Sequence, residues 1–118
     1  VAIPALHRGG IAWGGADDNA SGVAGMIAVA RAMAGDAPGE ASYVFVAFGA
    51  EEVGLRGSRQ LAGDPPFDLS RVVAMFNMDM ISRGEPDLIF VDGSRNADGL
   101  RDALRLVNAR ESIGLRIE

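Results

Sequence analysis

The sequence predicts an α/β domain with a largely parallel sheet. Two continuous apolar runs of strand length, rich in aromatic and β-branched residues, indicate strands buried on both faces. A segment with apolar residues at helical spacing precedes the first run, and amphipathic helical segments follow both. Because helices and strands alternate within 118 residues, we expect one domain with its ligand site beyond the carboxyl ends of the strands.

The first predicted helix begins at about Ala20, after glycine-rich residues 1–19 that favour a loop. Apolar side chains recur along it at helical spacing, namely Val23, Met26, Ile27, Ala30 and Ala34. Ser21 suits a position near the N-cap. Gly35 suits the C′ position, where many helices end on a left-handed glycine.

The later elements follow a predicted turn at residues 36–39. They are strands at 43–48, 72–76 and 88–91, a short helix at 55–61, an amphipathic helix at 100–107, and the start of a strand at 115–117. Gly63 and the Asp-Pro-Pro sequence at 64–66 end the short helix.

The composition excludes several classes of function. A net charge of −5 and a pI near 4.8 disfavour nucleic acids and anionic membrane surfaces as partners. Cysteine is absent, which excludes disulfides and thiolate zinc sites, and all 11 basic residues are arginine. Without lysine there is no phosphate-binding P-loop and no Schiff-base or serine–lysine catalysis. The apolar runs are much shorter than the ~20 residues of a membrane span, so we predict none.

Acidic residues occur at three places where a ligand site is expected. Asp17 and Asp18 precede the first helix, Glu51 and Glu52 follow the strand at 43–48, and Asp79 follows the strand at 72–76. Carboxylates gathered in one cleft repel each other and raise each other's pKa unless a cation neutralises them. Oxygen-rich ligation with at most one imidazole suits zinc, manganese or magnesium. The pattern therefore predicts a divalent metal site.

Each acidic group also has a structural explanation. An Asp-Asp-Asn-Ala-Ser segment before a helix is commonly a capping segment, and adjacent glutamates after a strand are commonly solvated loop charges. Asp79 is harder to explain in this way, because its neighbours are apolar and an unpaired buried aspartate is costly. The metal hypothesis therefore depends on the three groups together.

Three motifs give the sequence a family resemblance. Residues 15–22 (GADDNASG), 48–58 (FGAEEVGLRGS) and 77–80 (NMDM) resemble three consecutive signatures of the M28 zinc exopeptidases, which are aminopeptidases and carboxypeptidases with two co-catalytic zinc ions. The resemblance covers about residues 11–92. It implies a three-layer α/β/α fold with a largely parallel mixed sheet, and hydrolysis of a terminal peptide bond in a peptide or aminoacyl substrate, most simply as an aminopeptidase.

The resemblance also implies a role for individual residues. Asp17 would bridge two zinc ions, and the Asp17–Asp18 peptide would be cis. Glu52 would ligate one ion and Asp79 the other. Glu51 would be the general base that takes a proton from a metal-activated water and gives it to the leaving amine.

The histidines depart from the family pattern. The family has one ligating histidine upstream of the Asp-Asp motif and another far downstream, whereas this sequence has a single histidine, His7. His7 is either the upstream ligand or an exposed loop residue. In the first case Gly9 replaces the aspartate that would orient the imidazole, and losing such a partner can lower metal affinity by about 10–100-fold. We therefore expect residues 1–118 to be an incomplete catalytic domain with little or no peptidase activity alone.

Two other functions compete with the enzyme. Peptidase-like domains can lose metal ligands and serve as binding or scaffold modules. Retention of the base together with three ligand positions argues against that alternative. Exposed sheet edges could instead pair between chains and form a homo-oligomer. The family resemblance alone favours a secreted, periplasmic or cell-envelope location.

Overall fold

The computed structural model describes residues 14–35, 39–92 and 98–118. The chain divides into two compact units, which we call the N-terminal unit, ending at Met80, and the C-terminal unit, Ile81–Glu118. The combination of helices with a small parallel sheet confirms the α/β class. The three-layer arrangement and the assignment of the whole chain to one catalytic domain stay predictions.

Helix α1 (Gly22–Ala34) confirms the helix predicted from about Ala20. It follows an irregular π-helical turn at Ala16–Ser21, and these two segments pack on each other. The two predicted ends differ in detail. The Ser21 side chain donates to the Asp17 carbonyl (2.6 Å) rather than capping the helix, and Gly35 keeps a right-handed φ of −87°.

Helix α2 (Arg56–Gly63) confirms the short helix predicted at 55–61. It begins after Leu55, which has a left-handed φ of 57° and accepts a hydrogen bond at its carbonyl from the Ser58 hydroxyl (3.1 Å). A single 3₁₀ turn at Leu69–Arg71 follows, and the Asp68 carboxylate caps it by accepting from the Ser70 backbone N–H (2.9 Å).

The C-terminal unit contains strand β1 (Leu88–Ile89), helix α3 (Asp98–Arg110) and strand β2 (Arg116–Ile117). The strands pair in parallel, with Leu88 opposite Arg116 and Ile89 opposite Ile117. Since parallel neighbours need a crossover, the helix between them makes this a β-α-β connection. All three elements match predictions from the sequence, although the strands are shorter than expected.

The prediction of buried strands at 43–48 and 72–76 is wrong, since neither segment forms a strand in this structure. Their side chains are exposed apart from the half-buried Phe48, with Tyr43 at 62% and Val73 at 94%. A parallel strand is stable only when neighbouring strands take its backbone hydrogen bonds and helices cover its faces, and the only sheet formed by the described residues is the pair β1–β2. Consistently, no apolar side chain in the described ranges is fully buried.

None of the helices in the described ranges combines the length and apolar character needed to cross a membrane.

Candidate metal site

Three carboxylates of the N-terminal unit, Asp18, Glu51 and Asp79, lie within electrostatic reach of Glu52, and we call these four residues the acidic cluster. The pKa of Glu52 is raised above its ordinary value, first by the charge of Asp18 and then by that of Glu51. Loss of hydration, a hydrogen bond with the Asp18 carboxyl group and the charge of Asp79 act in the same direction. The cluster therefore holds more negative charge than is favourable without a cation.

A tight turn places Glu51 and Glu52 at the start of α2. The Glu51 carbonyl accepts from the backbone N–H groups of Gly54 (3.0 Å) and Leu55 (2.8 Å), and the Gly49 carbonyl accepts from Gly57 N–H (3.1 Å). A Cβ atom at Gly57 would lie 2.6 Å from the Gly49 carbonyl oxygen, so only glycine fits this crossing. The turn fixes the backbone from which both glutamate side chains project.

Ala50, directly before the two glutamates, has a left-handed φ of 59°. Met80, directly after Asp79, has a left-handed φ of 51°. Non-glycine residues are uncommon in this region, and such positions concentrate at functional sites. Two of the three acidic segments of the cluster are thus flanked by backbone that ordinary strand or helix geometry would not provide.

The backbone of the π-helical turn separates the two adjacent aspartates. Asp18 (φ −103°, ψ 96°) and Asn19 (φ −130°, ψ 45°) leave helical geometry, which breaks the turn in the middle. Asp17 is buried, with 8% of its surface exposed, whereas Asp18 is exposed and interacts with Glu52. A cis peptide joins Asp18 to Asn19, so the position expected for it, Asp17–Asp18, was wrong by one residue.

Asn19 connects this turn to the backbone around Asp79. Its Nδ2 donates to the Met78 carbonyl (3.0 Å), and its Oδ1 accepts from the backbone N–H groups of Gly22 (3.0 Å) and Met80 (3.2 Å). Residues about 60 positions apart in sequence are thereby held together by one side chain. This contact accounts for the presence of Asp79 beside the π-helical turn.

The predicted site residues have different outcomes. The structure brings Glu51, Glu52 and Asp79 into one cluster, but it places Asp18 rather than Asp17 against Glu52. His7 lies outside the described residues. Sequence reasoning missed Asn19, and its only signal was an amide residue in a capping segment. Within ranges 14–35, 39–92 and 98–118, no three acidic or histidine side chains are close enough to hold a metal ion.

An open cleft of about 520 Å³ lies along the first turns of α2, next in sequence to Glu52. Its lining residues are Val53, Gly54, Arg56, Arg59 and Gln60.

A family model described as "Peptidase family M28" matches residues 4–114. A "Probable zinc metalloprotease" of Pyrenophora teres is 37% identical over 87 residues, which cover 74% of this chain and 18% of that protein. "Aminopeptidase YwaD" of Bacillus subtilis is 40% identical over 68 residues, covering 57% and 15%. The "Probable lipoprotein aminopeptidase LpqL" of Mycobacterium tuberculosis is 33% identical over 99 residues, covering 81% and 20%. Thus the chain spans at most a fifth of the length of these relatives. No match to the chain was found among solved structures.

Proposed function

Because the chain belongs to peptidase family M28, we propose that the protein is a metal-dependent exopeptidase of the aminopeptidase type, hydrolysing a terminal peptide bond. Two of the relatives are named aminopeptidases and one a zinc metalloprotease, which supports this class and this metal.

The observation that carries the proposal is the gathering of Asp18, Glu51 and Asp79 around Glu52, whose pKa is raised mainly by their charges. Carboxylate oxygens are ligands for zinc, and neutralisation by a cation would relieve the repulsion. The residues thus fit a divalent cation by charge and donor type, although the described residues show no closed set of three donors. Zinc binding by this chain is therefore the first step to test.

We propose Asp18, Glu52 and Asp79 as the residues that hold the metal, with Asp17 as the alternative to Asp18. Asp18 is favoured because it is exposed and lies close enough to Glu52 for its charge to be the largest cause of the raised Glu52 pKa, whereas Asp17 is buried. A pair of zinc ions, when bound, would supply the charge that lowers the pKa of a water to near neutrality. Glu51 directly precedes Glu52 in the chain, and the family resemblance makes it the carboxylate that would accept a proton and pass it to the leaving amine.

The experiment measures the zinc affinity of the 118-residue chain by competition with a chromophoric chelator. We expect Asp18→Asn, Glu52→Gln and Asp79→Asn each to weaken zinc binding by at least about tenfold, since even an outer partner of a metal ligand contributes about 10–100-fold. Asp17→Asn should leave the affinity unchanged and alter thermal stability instead, because Asp17 is buried. Glu51→Gln should also bind zinc normally.

Asp64→Asn is the matched control, because Asp64 is an exposed aspartate outside the acidic cluster. If Asp17→Asn loses zinc while Asp18→Asn keeps it, then Asp17 is the ligand. If the wild-type chain binds no zinc, the metallopeptidase proposal fails for this chain and a non-catalytic binding module becomes the better explanation. With one histidine in the chain, hydrolysis of an aminoacyl-anilide should be slow, and any turnover should disappear in Glu51→Gln.

The name of the mycobacterial relative includes the word lipoprotein. On that ground we propose that the protein acts at the cell envelope or outside the cell. Fractionation of cells that produce it tests this, and recovery in the cytosolic fraction alone would contradict it.

A further inference from the structure

The Asn19 side chain makes more contacts than a capping residue needs. An N-cap side chain accepts one hydrogen bond from the first turn of its helix, which here is the bond from Gly22 N–H to Asn19 Oδ1. The bonds to the Met78 carbonyl and from the Met80 N–H lie outside the helix. A side-chain amide can make four hydrogen bonds, two as donor and two as acceptor, and Asn19 makes three of them. Two of these three go to Met78 and Met80, the residues on either side of Asp79.

The packing around Asn19 leaves little freedom for this amide. Gly22 is buried, and a Cβ atom there would collide with the Met78 carbonyl oxygen and with the Asn19 Oδ1 atom. Helix α1 therefore approaches the segment at Met78 as closely as a glycine allows, and the amide fills the remaining space. The bonds to the Met78 carbonyl and from the Gly22 N–H are partly buried, so packing as well as hydrogen bonding holds the amide in place.

The same residue stands next to Asp18 in the chain. One amide thus fixes the backbone on both sides of Asp79 and directly after Asp18, which are two of the three proposed metal-holding residues. A shift of either segment changes the separation of the two carboxylates. Metal affinity depends strongly on such outer contacts, which orient the ligands.

We propose that Asn19 is a positioning residue that sets the spacing of the Asp18 and Asp79 carboxylates for metal binding. This inference rests on the function proposed above. The competing explanation is that Asn19 only caps α1. The two explanations predict different results for Asn19→Ser. Serine is as good an N-cap as asparagine, but its side chain is too short to reach both Met78 and Met80.

The test compares Asn19→Ser and Asn19→Ala in the 118-residue chain, by zinc affinity and by the visible absorption of bound cobalt, which reports ligand geometry. We expect both variants to bind zinc about 10–100-fold more weakly than wild type and to change the cobalt spectrum. Asn19→Ser should keep the helical circular dichroism of wild type. In the metal-free chain, the Met80 amide should exchange its hydrogen faster in both variants.

The matched control is Asn108→Ser in the C-terminal unit. The Asn108 amide also hydrogen-bonds to backbone, donating to the Leu115 carbonyl and accepting from the Leu115 N–H. Asn108→Ser should leave zinc affinity and the cobalt spectrum unchanged. The inference would be overturned if Asn19→Ser keeps the zinc affinity and cobalt spectrum of wild type and only Asn19→Ala loses stability. Asn19 would then act only as a helix cap, and the proposed function would be unaffected. Absence of zinc binding in wild type would overturn both, and unchanged Met80 exchange would refute the contact itself.

Discussion

Glu52 links the charge of the acidic cluster to the stability of the fold. Its carboxyl group is exposed, yet its pKa is raised because Asp18, Glu51 and Asp79 surround it with like charge. A carboxyl group with a raised pKa in the folded state favours folding only while it is protonated. Its contribution is therefore present below the ordinary glutamate pKa of about 4.3 and is lost as the pH rises through the raised value.

Glu52→Gln should stabilise the metal-free chain at neutral pH. We expect the free energies of unfolding of variant and wild type to converge as the pH falls well below about 4.3, where Glu52 becomes protonated in both states, and to separate in favour of the variant as the pH rises. Denaturant titrations between pH 3.5 and about pH 8 measure this difference.

Zinc should reverse that order. A ligand that binds only the folded state stabilises it according to its concentration relative to the dissociation constant, and the variant loses a proposed ligand. With excess zinc at pH 7 we therefore expect wild type to be the more stable. Glu40→Gln, at an exposed glutamate outside the cluster, is the control and should show neither effect. A Glu52→Gln chain less stable than wild type without metal would contradict the repulsion.

Asp17 and Asp18 are adjacent and have the same side-chain chemistry, so the sequence alone does not distinguish them as metal ligands. The motif indicated a metal-binding aspartate, but the choice between Asp17 and Asp18 depends on backbone angles inside the turn, and the chain leaves helical geometry only at Asp18. Asn19 was missed for a related reason. Its capping bond to Gly22 is local, whereas its bonds to Met78 and Met80 join segments 59 and 61 residues away.

Among the secondary-structure elements, β2 is held by a side chain of the neighbouring helix. Asn108 of α3 donates from Nδ2 to the Leu115 carbonyl (2.7 Å) and accepts at Oδ1 from the Leu115 N–H (2.9 Å). The strand itself pairs over only two residues, and an exposed ion pair between Arg116 and Glu85 (2.8 Å) adds little. The amide of Asn108 therefore fixes where β2 begins.

Asn108→Ala should loosen β2 and leave the N-terminal unit unchanged. Two hydrogen bonds at about 0.5–1.5 kcal/mol each are lost, and about 1.4 kcal/mol corresponds to a factor of ten in an opening equilibrium. We expect the amide hydrogens of Arg116 and Glu118, which donate to the carbonyls of Asp87 and Ile89, to exchange at least about tenfold faster. Glu85→Gln, which removes the exposed ion pair, should change these rates far less. Equal effects of the two substitutions would show that Asn108 does not hold the strand.

The three helices and the two short strands of the C-terminal unit were predicted within a few residues of their observed ends, whereas the strands predicted at 43–48 and 72–76 did not form. Helices α1, α2 and α3 depend on apolar spacing and on glycine near their ends, which the local sequence contains. The run at 43–48 has the composition of a buried strand, but strand formation depends on distant partners for its backbone groups. The composition of these segments therefore shows that they can form buried strands, but it does not show whether neighbouring strands are present to pair with them.

At the scale of the whole molecule, the exposed apolar runs are the main consequence of this structure. Tyr43, Val44, Val73 and Phe76 are each at least 60% exposed, and no apolar side chain in the described residues is fully buried. Contiguous exposed apolar surface promotes association, and segments with unpaired backbone groups can pair between chains. Homo-oligomerisation, predicted from the sequence, stays a prediction for which these residues supply a mechanism.

The 118-residue chain should therefore associate as its concentration rises and should bind an apolar dye such as ANS. Light scattering coupled to size-exclusion chromatography measures the mass, and dye fluorescence measures the exposed surface. The double substitution Val44→Thr with Val73→Thr keeps the β-branched shape while adding a hydroxyl to each run, so we expect a lower mean mass and weaker fluorescence. Val107→Thr, on α3 and outside both runs, is the control and should leave both unchanged. A chain that stays monomeric at high concentration and binds no dye would show that the two runs are covered in solution.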